Sequence, residues 1–448
     1  MSSLTKAVLL CLAIAPAIRA DDPNVALDRR IAALQHQAEI RPKPTAGNTC
    51  DIPTIFVPGV NRYHNVQEAL DDPTCDVITL PYYLKLICVG PHGTPVTCPG
   101  QPAPYEHFEN VTVNRNVTIK SFAYPNFPAW WHSGPLAGKP VIKITSSGSP
   151  APQVTLLGLN IYDGLTPGNG GGIDNEGGVV MIDGCDISYN QAVLEGGGIY
   201  NANVGAMTIT NSHLGNNKAG VAGGAIVNSS IRNLSVSLLA LQHVTLENNS
   251  AGTLGGAIHQ DFGISLIQDS TLRSNKVSAL IGAYGGAINN NVGGMRIDRS
   301  TIVGNSVSST IATPPVSGTA ISAAGGAINN VGGLVDNNEG VLMINNCLIA
   351  QNTASALYGA NAGAINNTAA GTVTINDSEL VANQAPTAGA IDNGLDGQVT
   401  LNRTTVALNV AHSSLYALGG AALRADSILR DVAAERAVVQ EEMCGLRV

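Results

Sequence analysis

The amino-acid sequence predicts an all-β fold, a right-handed parallel β-helix with a cap at each end. Three observations support this fold: glycine is very frequent, a Gly-Gly-Ala-Ile-type motif recurs, and this motif alternates strictly with a motif that ends in asparagine. Of 448 residues 50 are glycine, and only 4% are aromatic. Because compact cores take much of their buried area from aromatic rings, this composition favours stacked coils with small side chains.

Eight repeats run from Gly170 to Asn409. Their glycine motifs end at Ile173, Ile199, Ile226, Ile258, Ile288, Ile328, Ile365 and Ile391. Their second motifs have an aliphatic residue three positions before Asn190, Asn217, Asn249, Asn275, Asn305, Asn352, Asn383 and Asn409. The shortest repeats span 26 residues, as from Ile173 to Ile199. Longer repeats must therefore contain loops that bulge from a turn.

A strand with period-2 patterning lies between the two motifs and aligns across the repeats. Its inward column is aliphatic, at Ile182, Ile209, Leu241, Ile267, Ile297, Ile344, Ile375 and Leu401. The next column is polar and is expected to face solvent, at Asp183, Thr210, Gln242, Gln268, Asp298, Asn345, Asn376 and Asn402. Each repeat is then one coil of three sides. The glycines suit tight corners, and the asparagines suit left-handed turns and a hydrogen-bonded ladder.

The chain divides into five segments. Residues 1–20 are typical of a secretory signal peptide, with Lys6 before an apolar run that is too short to span a bilayer. Residues 21–49 form a short amphipathic helix or a mobile arm. Residues 50–109 are a disulfide-containing cap with the first coils, including a helix from Asn65. Residues 110–418 are the parallel β-helix, and residues 419–448 are a helical C-terminal cap that includes Leu423, with a partner-binding surface helix as the alternative.

The cysteines support an exported protein. Cys50, Cys75, Cys88 and Cys98 fall in the N-terminal cap and are candidates for one or two disulfides, whose pairing the sequence leaves open. Cys185 and Cys347 share an inward column but lie five repeats apart, so they are expected to be free and buried. No cysteine or histidine spacing indicates a zinc site.

Charge limits the partners. Charged residues make up 12% of the chain and the formal net charge is −9, which argues against nucleic acid because phosphate contacts need clustered lysine and arginine. No segment after the signal is apolar enough to span a membrane. A cell-surface glycan or a protein is therefore the expected partner.

The alternating Gly-Gly-Ala-Ile and xxN motifs resemble the passenger repeats of polymorphic outer-membrane proteins. The resemblance covers about Gly170 to Asn409, with Ile, Leu or Val where that family has Phe. It implies a pectate-lyase-like solenoid that acts in surface adhesion or as an extracellular scaffold. Members of that family end in a membrane-anchoring barrel, which we do not expect in the short segment after Asn409. The expected location is extracellular, at the cell surface or outer membrane, or in a bacterial periplasm.

Two functions compete. The favoured one is a non-catalytic, adhesin-like or scaffold binding protein. Trp130 and Trp131, expected in a loop between early coils, are its candidate contact residues if they are exposed, but the burial typical of large aromatic residues favours a role in covering the stack. The alternative is a lyase or glycoside hydrolase acting on acidic glycans. Its candidate residues are Asp269, Arg273, Lys276, Arg296, Asp298 and Arg299, which sit on neighbouring coils, although exposed charges on strands are usually solvated.

No cofactor is indicated. Calcium is the one metal ion with candidate ligands, because oxygen-bearing residues cluster in the first repeat. They are Asp174, Asn175, Glu176, Asp183 and Asp186. Scattered acidic side chains on a protein surface explain them equally well.

Overall fold

A computed structural model describes residues 23–39, 47–53, 62–81, 87–89, 95–97, 106–133, 138–146, 148, 150–231, 236–310, 323–333, 340–356, 360–394, 397–411 and 423–425. The predicted signal peptide, residues 1–20, lies outside these residues, and so do most of the predicted C-terminal cap and Cys98. The described chain forms a parallel β-solenoid, as the repeats predicted. Its hand stays a prediction.

Each complete coil contributes one strand to each of four parallel sheets, which we call A, B, C and D in chain order. Sheet A consists of Thr49–Asp51, Val77–Leu80, Val117–Ser121, Gln153–Leu157, Val179–Asp183, Ala206–Thr210, Leu238–Gln242, Ile264–Gln268, Gly294–Asp298, Val341–Asn345, Thr372–Asn376 and Gln398–Asn402. Sheet B consists of Glu106–Phe108, Ala129–His132, Leu159–Tyr162, Asp186–Ser188, His213–Gly215, Thr245–Glu247, Thr271–Arg273, Thr301–Val303, Leu348–Ala350, Glu379–Val381 and Thr405–Ala407.

Sheets C and D complete the coil. Sheet C has short strands, at Leu165–Thr166, Gln191–Ala192, Lys218–Ala219, Ser250–Ala251, Lys276–Ala279, Ser306–Ser309, Thr353–Ala356, Gln384–Ala385 and Val410–Ala411. Sheet D consists of Val111–Val113, Ile142–Thr145, Ile173–Glu176, Ile199–Ala202, Ile226–Ser229, Ile258–Asp261, Ile288–Asn291, Ile328–Val331, Ile365–Thr368, Ile391–Asn393 and Leu423–Ala425. Two small pairs stand apart, Ile87–Val89 with Pro95–Thr97 and Ala283–Tyr284 with Ala323–Ala324.

The core is one continuous stack of aliphatic side chains. Equivalent residues pair from coil to coil, as Ile173 pairs with Ile199 and Ile199 with Ile226. The predicted inward column is confirmed, because its members are at most 5% exposed. The polar column is less exposed than expected: Gln242 is exposed, but most members are half-buried and Asp298 is buried. Neighbouring members and the charged side chains beside them cover one another.

The corner glycines have the conformational role that the sequence indicated. Gly255, the first glycine of its motif, has φ +59°, which a residue without Cβ adopts at no steric cost. The second, Gly256, lies against the next coil, where a Cβ would overlap the carbonyl oxygen of Gly286.

The prediction that the ladder asparagines are left-handed is wrong. Positive φ is found at the residue just before each of them, as at Tyr189 (φ +59°), Asn216 (φ +56°) and Asn248 (φ +55°). The ladder asparagine itself points inward to close the corner with hydrogen bonds, which needs the left-handed residue one position earlier.

The asparagine ladder itself is present and fully buried along most of its length. In each step the side-chain oxygen of one asparagine accepts from the backbone and side-chain N–H of its counterpart in the preceding coil, as Asn275 does from Asn249. A second buried ladder, which the sequence analysis missed, runs through sheet D at Asn175, Asn201, Asn228, Gln260, Asn290, Asn330, Asn367 and Asn393. Both ladders satisfy buried corner amides, whose desolvation would otherwise be costly.

A cap closes the N-terminal end. Helix α2, Val66–Asp71, begins after Asn65, whose side chain accepts from the backbone N–H of Glu68. Its buried side chains join the core. A disulfide joins Cys50 and Cys75, two of the four candidates. Cys88 lies in the Ile87–Val89 strand, of whose side chains nothing is described.

Helix α1, Pro23–Glu39, lies on the outer face of sheet A. Leu27 and Ile31 pack on outward-facing apolar residues from three strands of sheet A, which we call the apolar strip: Leu238, Ala240, Ile264, Leu266, Val341 and Met343. Asp28 pairs with Arg296 at 2.9 Å. The helical alternative for residues 21–49 is thus the observed one for Pro23–Glu39.

The C-terminal expectation needs correction at one place. Leu423–Ala425, assigned by sequence to the start of a cap helix, is a strand that pairs in parallel with Ile391–Asn393. One more turn of the coil lets these backbone groups form ladder hydrogen bonds with the preceding strand. These bonds outweigh the helical pattern of the side chains. Cys185 and Cys347 are free and buried, as expected.

Candidate functional site

Functional side chains must lie on outward columns, because the inward ones fill the core. The outer surface of sheet B differs from coil to coil. Its last four described coils carry mostly small or aliphatic residues, such as Val303, Ala350 and Ala407. Its first coils carry aromatic rings and then charged groups. The inward columns keep the same character in every repeat, whereas the outward columns change in one region. That region is therefore the candidate site.

Five rings form a continuous patch on the N-terminal end of sheet B, which we call the aromatic face. They belong to Phe108, Trp130, His132, Tyr162 and Tyr189. The parallel register places Phe108, His132 and Tyr162 in one column, one coil apart. Phe108 is 56% exposed and Tyr189 is 58% exposed. So large an exposed aromatic area is unusual in a chain with few aromatic residues.

The rings of this face hold one another in place. Phe108 stacks on His132 with centroids 5.1 Å apart, and Trp130 contacts Tyr162 edge-on at 5.2 Å. Tyr162 contacts Tyr189 at 6.1 Å. The Nδ1 atom of His132 lies 2.8 Å from a carboxylate oxygen of Asp163, which fixes the ring. Its Nε2 atom is buried and has no hydrogen-bond partner among the described residues. The aromatic face is therefore preorganised and still has one polar atom to satisfy.

The next coils of sheet B carry four linked polar residues, which we call the acid–histidine row: Asp186, His213, Glu247 and Arg273. The Nδ1 atom of His213 lies 3.0 Å from Asp186, and its Nε2 atom lies 3.1 Å from Glu247. Arg273 donates to Glu247 at 2.5 Å. The hydroxyl of Tyr162 donates to Asp186 at 2.5 Å, which connects the row to the aromatic face.

The charge states follow from these contacts. The hydrogen bond to Asp186 raises the pKa of His213, with Glu247 adding to it and burial opposing it. Burial disfavours the Asp186 carboxylate, but hydrogen bonds from His213, Ser188 and Tyr162 lower its pKa below the ordinary value. Burial, followed by the bond to Asp186, raises the pKa of Tyr162. The row therefore favours an imidazolium between two carboxylates and keeps the Tyr162 hydroxyl as a donor.

The two candidate tryptophans have different environments. Both lie on the strand Ala129–His132 and not in a loop, which corrects the sequence assignment. Trp130 is half-buried in the aromatic face. Trp131 faces inward, is fully buried and donates from Nε1 to the carbonyl of Glu109 at 3.0 Å. Alternation along a strand turns adjacent residues to opposite sides, so Trp131 cannot contact a ligand on this face.

The residues proposed for an enzyme do not converge. Asp269 and Arg299 form a bidentate ion pair, at 2.8 Å for both bonds, on the turns between sheets A and B. Arg273 belongs to the acid–histidine row. Lys276 begins a strand of sheet C. Three faces of the coil therefore carry these side chains.

Arg296 and Asp298 form another separate pair on the outer face of sheet A. The Nε atom of Arg296 contacts both oxygens of Asp298 at 2.9 Å, and its Nη1 atom reaches Asp28 of helix α1. Asp298 also accepts from Asn345 at 2.8 Å. These contacts tie helix α1 to the sheet, which is a structural role.

Three of the candidate calcium ligands do not converge, because Asn175 faces inward while Asp174 and Glu176 face outward. Asn175 points inward into the second ladder. Asp174 and Glu176 lie outward on sheet D and share the ammonium of Lys143, at 3.2 and 3.1 Å. A lysine between the two carboxylates occupies the place that a cation would take.

The other two lie on different sheets. Asp183 accepts from the hydroxyl of Thr210 at 2.7 Å on sheet A, while Asp186 belongs to sheet B. Across the described ranges, no group of three or more His, Cys, Asp or Glu side chains is arranged to hold a metal ion.

The sequence identified three residues of the candidate site but did not indicate that they lie together. It named Trp130, Asp186 and Arg273 separately, and it missed His213 and Glu247. The available signal was positional: aligning the sheet B strands places His213 beside Asp186 and Arg273 beside Glu247 in consecutive coils.

In the described part of the chain, no helix has both the length and the apolar character that crossing a membrane requires. Comparisons of the chain with protein-family models, curated proteins and solved structures find no match.

Proposed function

We propose that this protein is an exported, adhesin-like or scaffold β-helix that binds a cell-surface glycan on the aromatic face of sheet B. The observation that carries the proposal is the contiguous patch of five rings, joined through Tyr162 to the acid–histidine row. Rings supply flat apolar area with a negative π face, on which the C–H groups of a sugar ring stack. Carboxylates and imidazole nitrogens bond to its hydroxyl groups.

A carbohydrate fits this surface better than an apolar partner does. The exposed rings of Phe108 and Tyr189 adjoin polar atoms at short range, including the unpartnered Nε2 atom of His132. An apolar partner would leave the buried Nε2 atom of His132 unpaired, and a buried unsatisfied polar group costs about 1–3 kcal/mol. Sugar hydroxyls donate and accept, so they can pair with this atom.

Export is part of the proposal. It is supported by the signal-like residues 1–20 and by the Cys50–Cys75 disulfide, a bond typical of oxidising compartments. The repeat motifs that resemble polymorphic outer-membrane passengers favour a location at the cell surface or in a periplasm. The enzymatic alternative is less favoured because Asp269, Lys276 and Arg296 lie on different faces.

Tryptophan fluorescence offers a direct test. The chain has two tryptophans, and Trp131 is fully buried, so ligand-dependent change reports on Trp130. Titrating the mature protein with neutral, amino and uronate-containing oligosaccharides should change its emission with at least one class. Tyr189→Ala should weaken that binding about 2- to 10-fold, since one aromatic contact contributes about 0.5–1.5 kcal/mol. Leu280→Ala, which removes another highly exposed side chain from a different face, should leave it unchanged.

The same samples separate binding from catalysis. Unsaturated products or new reducing ends from uronate polymers, lost in Arg273→Ala or Lys276→Ala, would contradict the non-enzymatic function. Binding that is equal in wild type and Tyr189→Ala would remove the aromatic face as the binding site.

A further inference from the structure

A second polar site lies at the N-terminal end of sheet D. Here a cleft of about 540 Å³ opens between the first strands of that sheet and the turn at residues 166–169. Its volume falls within the range of about 300–1,000 Å³ that is typical of small-ligand sites. The cleft forms where sheet C begins: its first strand, Leu165–Thr166, is followed by this turn, and the preceding described coils add no strand beside it.

The cleft contains hydrogen-bond acceptors that the protein does not satisfy. Three buried side-chain nitrogen or oxygen atoms have no hydrogen-bond partner within the described ranges. Two of them, Oδ1 of Asp174 and Oδ1 of Asn110, belong to residues that line this cleft. The Asp174 side chain is 9% exposed. Buried polar atoms are normally paired, so two orphaned acceptors at one cleft point to a missing donor.

The remaining contacts leave both oxygens available. The Oδ2 atom of Asp174 accepts from Lys143 at 3.2 Å, and the Nδ2 atom of Asn110 donates to the carbonyl of Pro140 at 2.9 Å and to Ser133 Oγ at 3.1 Å. The carboxylate torsion of Asp174 is soft, so we expect a small rotation to bring its Oδ1 atom within reach of a donor in the cleft. Burial also raises the pKa of Asp174 to about 6, against the opposing effect of Lys143. A buried carboxylate oxygen is stabilised when a ligand donates a hydrogen bond to it.

The charged residues that line the cleft indicate which kind of ligand can supply the missing donor. The described lining holds two carboxylates, Asp174 and Glu176, and two ammonium groups, Lys139 and Lys143. These charges balance, so the cleft offers no net attraction to a cation or to an anion. The acceptors therefore suit an uncharged ligand with several hydroxyl groups.

We infer that this cleft is a binding site for a neutral sugar unit whose hydroxyls donate to Asp174 and Asn110. The site is separate from the aromatic face and does not depend on it. Lys143 holds Asp174 in position from the side opposite its free oxygen, and Glu176, which is 40% exposed, accepts at the rim.

The test combines calorimetry and chemical protection on the full mature chain. Cellobiose, lactose, mannobiose, glucosamine, galacturonate and calcium chloride are titrated separately, and at least one neutral disaccharide should bind. Asp174→Asn, which leaves one oxygen for two partners, should weaken that binding tenfold or more. Asp269→Asn is the matched control, because it makes the same change in an ion-paired carboxylate away from the cleft. Sugar should also slow acetylation of Lys143 in the wild-type protein, but not of Lys276.

Several results would overturn the inference: no neutral sugar binds, calcium or galacturonate binds more tightly than every neutral sugar, or Lys143 is acetylated at the same rate with and without sugar. The protection assay uses the unaltered chain, so it decides the matter even if Asp174→Asn misfolds. The two sites fail separately, because Trp130 fluorescence and Tyr189→Ala report on the aromatic face, whereas Lys143 protection reports on the cleft.

Discussion

At the scale of single residues, Asn275 shows how the buried ladder is held together. Its Oδ1 atom accepts from the backbone N–H and the side chain of Asn249, and its Nδ2 atom donates to Leu246 O and Asn305 Oδ1, each at 3.0 Å. Donor and acceptor are both used, so no other side chain of similar size replaces it. A carboxylate lacks the donor and a hydrophobic residue lacks both.

Asn275→Ala should lower the free energy of unfolding by about 3–5 kcal/mol, because it leaves several buried groups unpaired at about 1–3 kcal/mol each with partial relaxation. The urea midpoint measures this loss. Thr271→Ala, a half-exposed outward position on the same coil, should change stability by no more than about 0.5 kcal/mol. Equal midpoints for Asn275→Ala and wild type would show that the ladder contributes no net stability.

His213 should make stability depend on pH. Its pKa is raised in the folded protein by Asp186 and then Glu247, so its contribution is fully present below the unfolded value of about 6.5 and is lost as pH rises through the folded value. The thermal midpoint of wild type relative to that of His213→Asn should therefore fall as the pH rises above about 6.5. A parallel pH profile for wild type and His213→Asn would contradict the proposed charge state.

At the scale of elements, helix α1 and the apolar strip bury each other's apolar side chains. Outward positions of sheet A include threonines such as Thr208 and Thr400, whereas most of those beneath this helix are apolar. Neither partner suits water alone: the strip would expose Leu238 and Ile264, and the helix would expose Leu27. Each therefore accounts for the composition of the other.

Leu27→Asp should release helix α1 from the sheet. Burying Leu27 contributes about 1.5–3 kcal/mol, and the Asp28–Arg296 pair near the surface adds little. Binding of a hydrophobic dye such as ANS should then rise while the thermal midpoint of the coils changes little, since their core is untouched. Val25→Asp, on the exposed side of the same helix, should leave dye binding unchanged. Unchanged dye binding by Leu27→Asp would mean that α1 does not protect the strip.

At the scale of the whole molecule, the register between coils determines which residues stack on one another. Across the last complete coil every sheet pairs residues 26 apart, as Ile365 with Ile391, Val373 with Val399 and Leu380 with Val406. A solenoid of this kind is stabilised by nearest-neighbour contacts, so removing one whole coil joins two equivalent surfaces.

Deleting residues 365–390 should therefore give a folded, soluble protein with a strand-rich far-UV spectrum and a urea midpoint near that of the parent. Deleting residues 365–389 should not, because a shift of one residue turns every following side chain to the opposite face. Comparing the solubility and spectra of the two deletions checks this. Two equally soluble, equally folded products would contradict the assigned register.

The sequence by itself determined the coil, the inward columns, the cap helix after Asn65 and the free, buried state of Cys185. These features depend on the local hydrophobic period and on turn chemistry, both of which recur in every repeat. The tertiary structure decided which outward residues meet. His213 lies between Asp186 and Glu247, residues 27 and 34 positions away, because strand register aligns three coils of unequal length. Arg296 meets Asp28 across 268 positions because an apolar strip holds a helix there. Aligning the repeats brings Asp186 and His213 together, but the ion pair of Arg296 with Asp28 follows no period, so only the folded chain could show it.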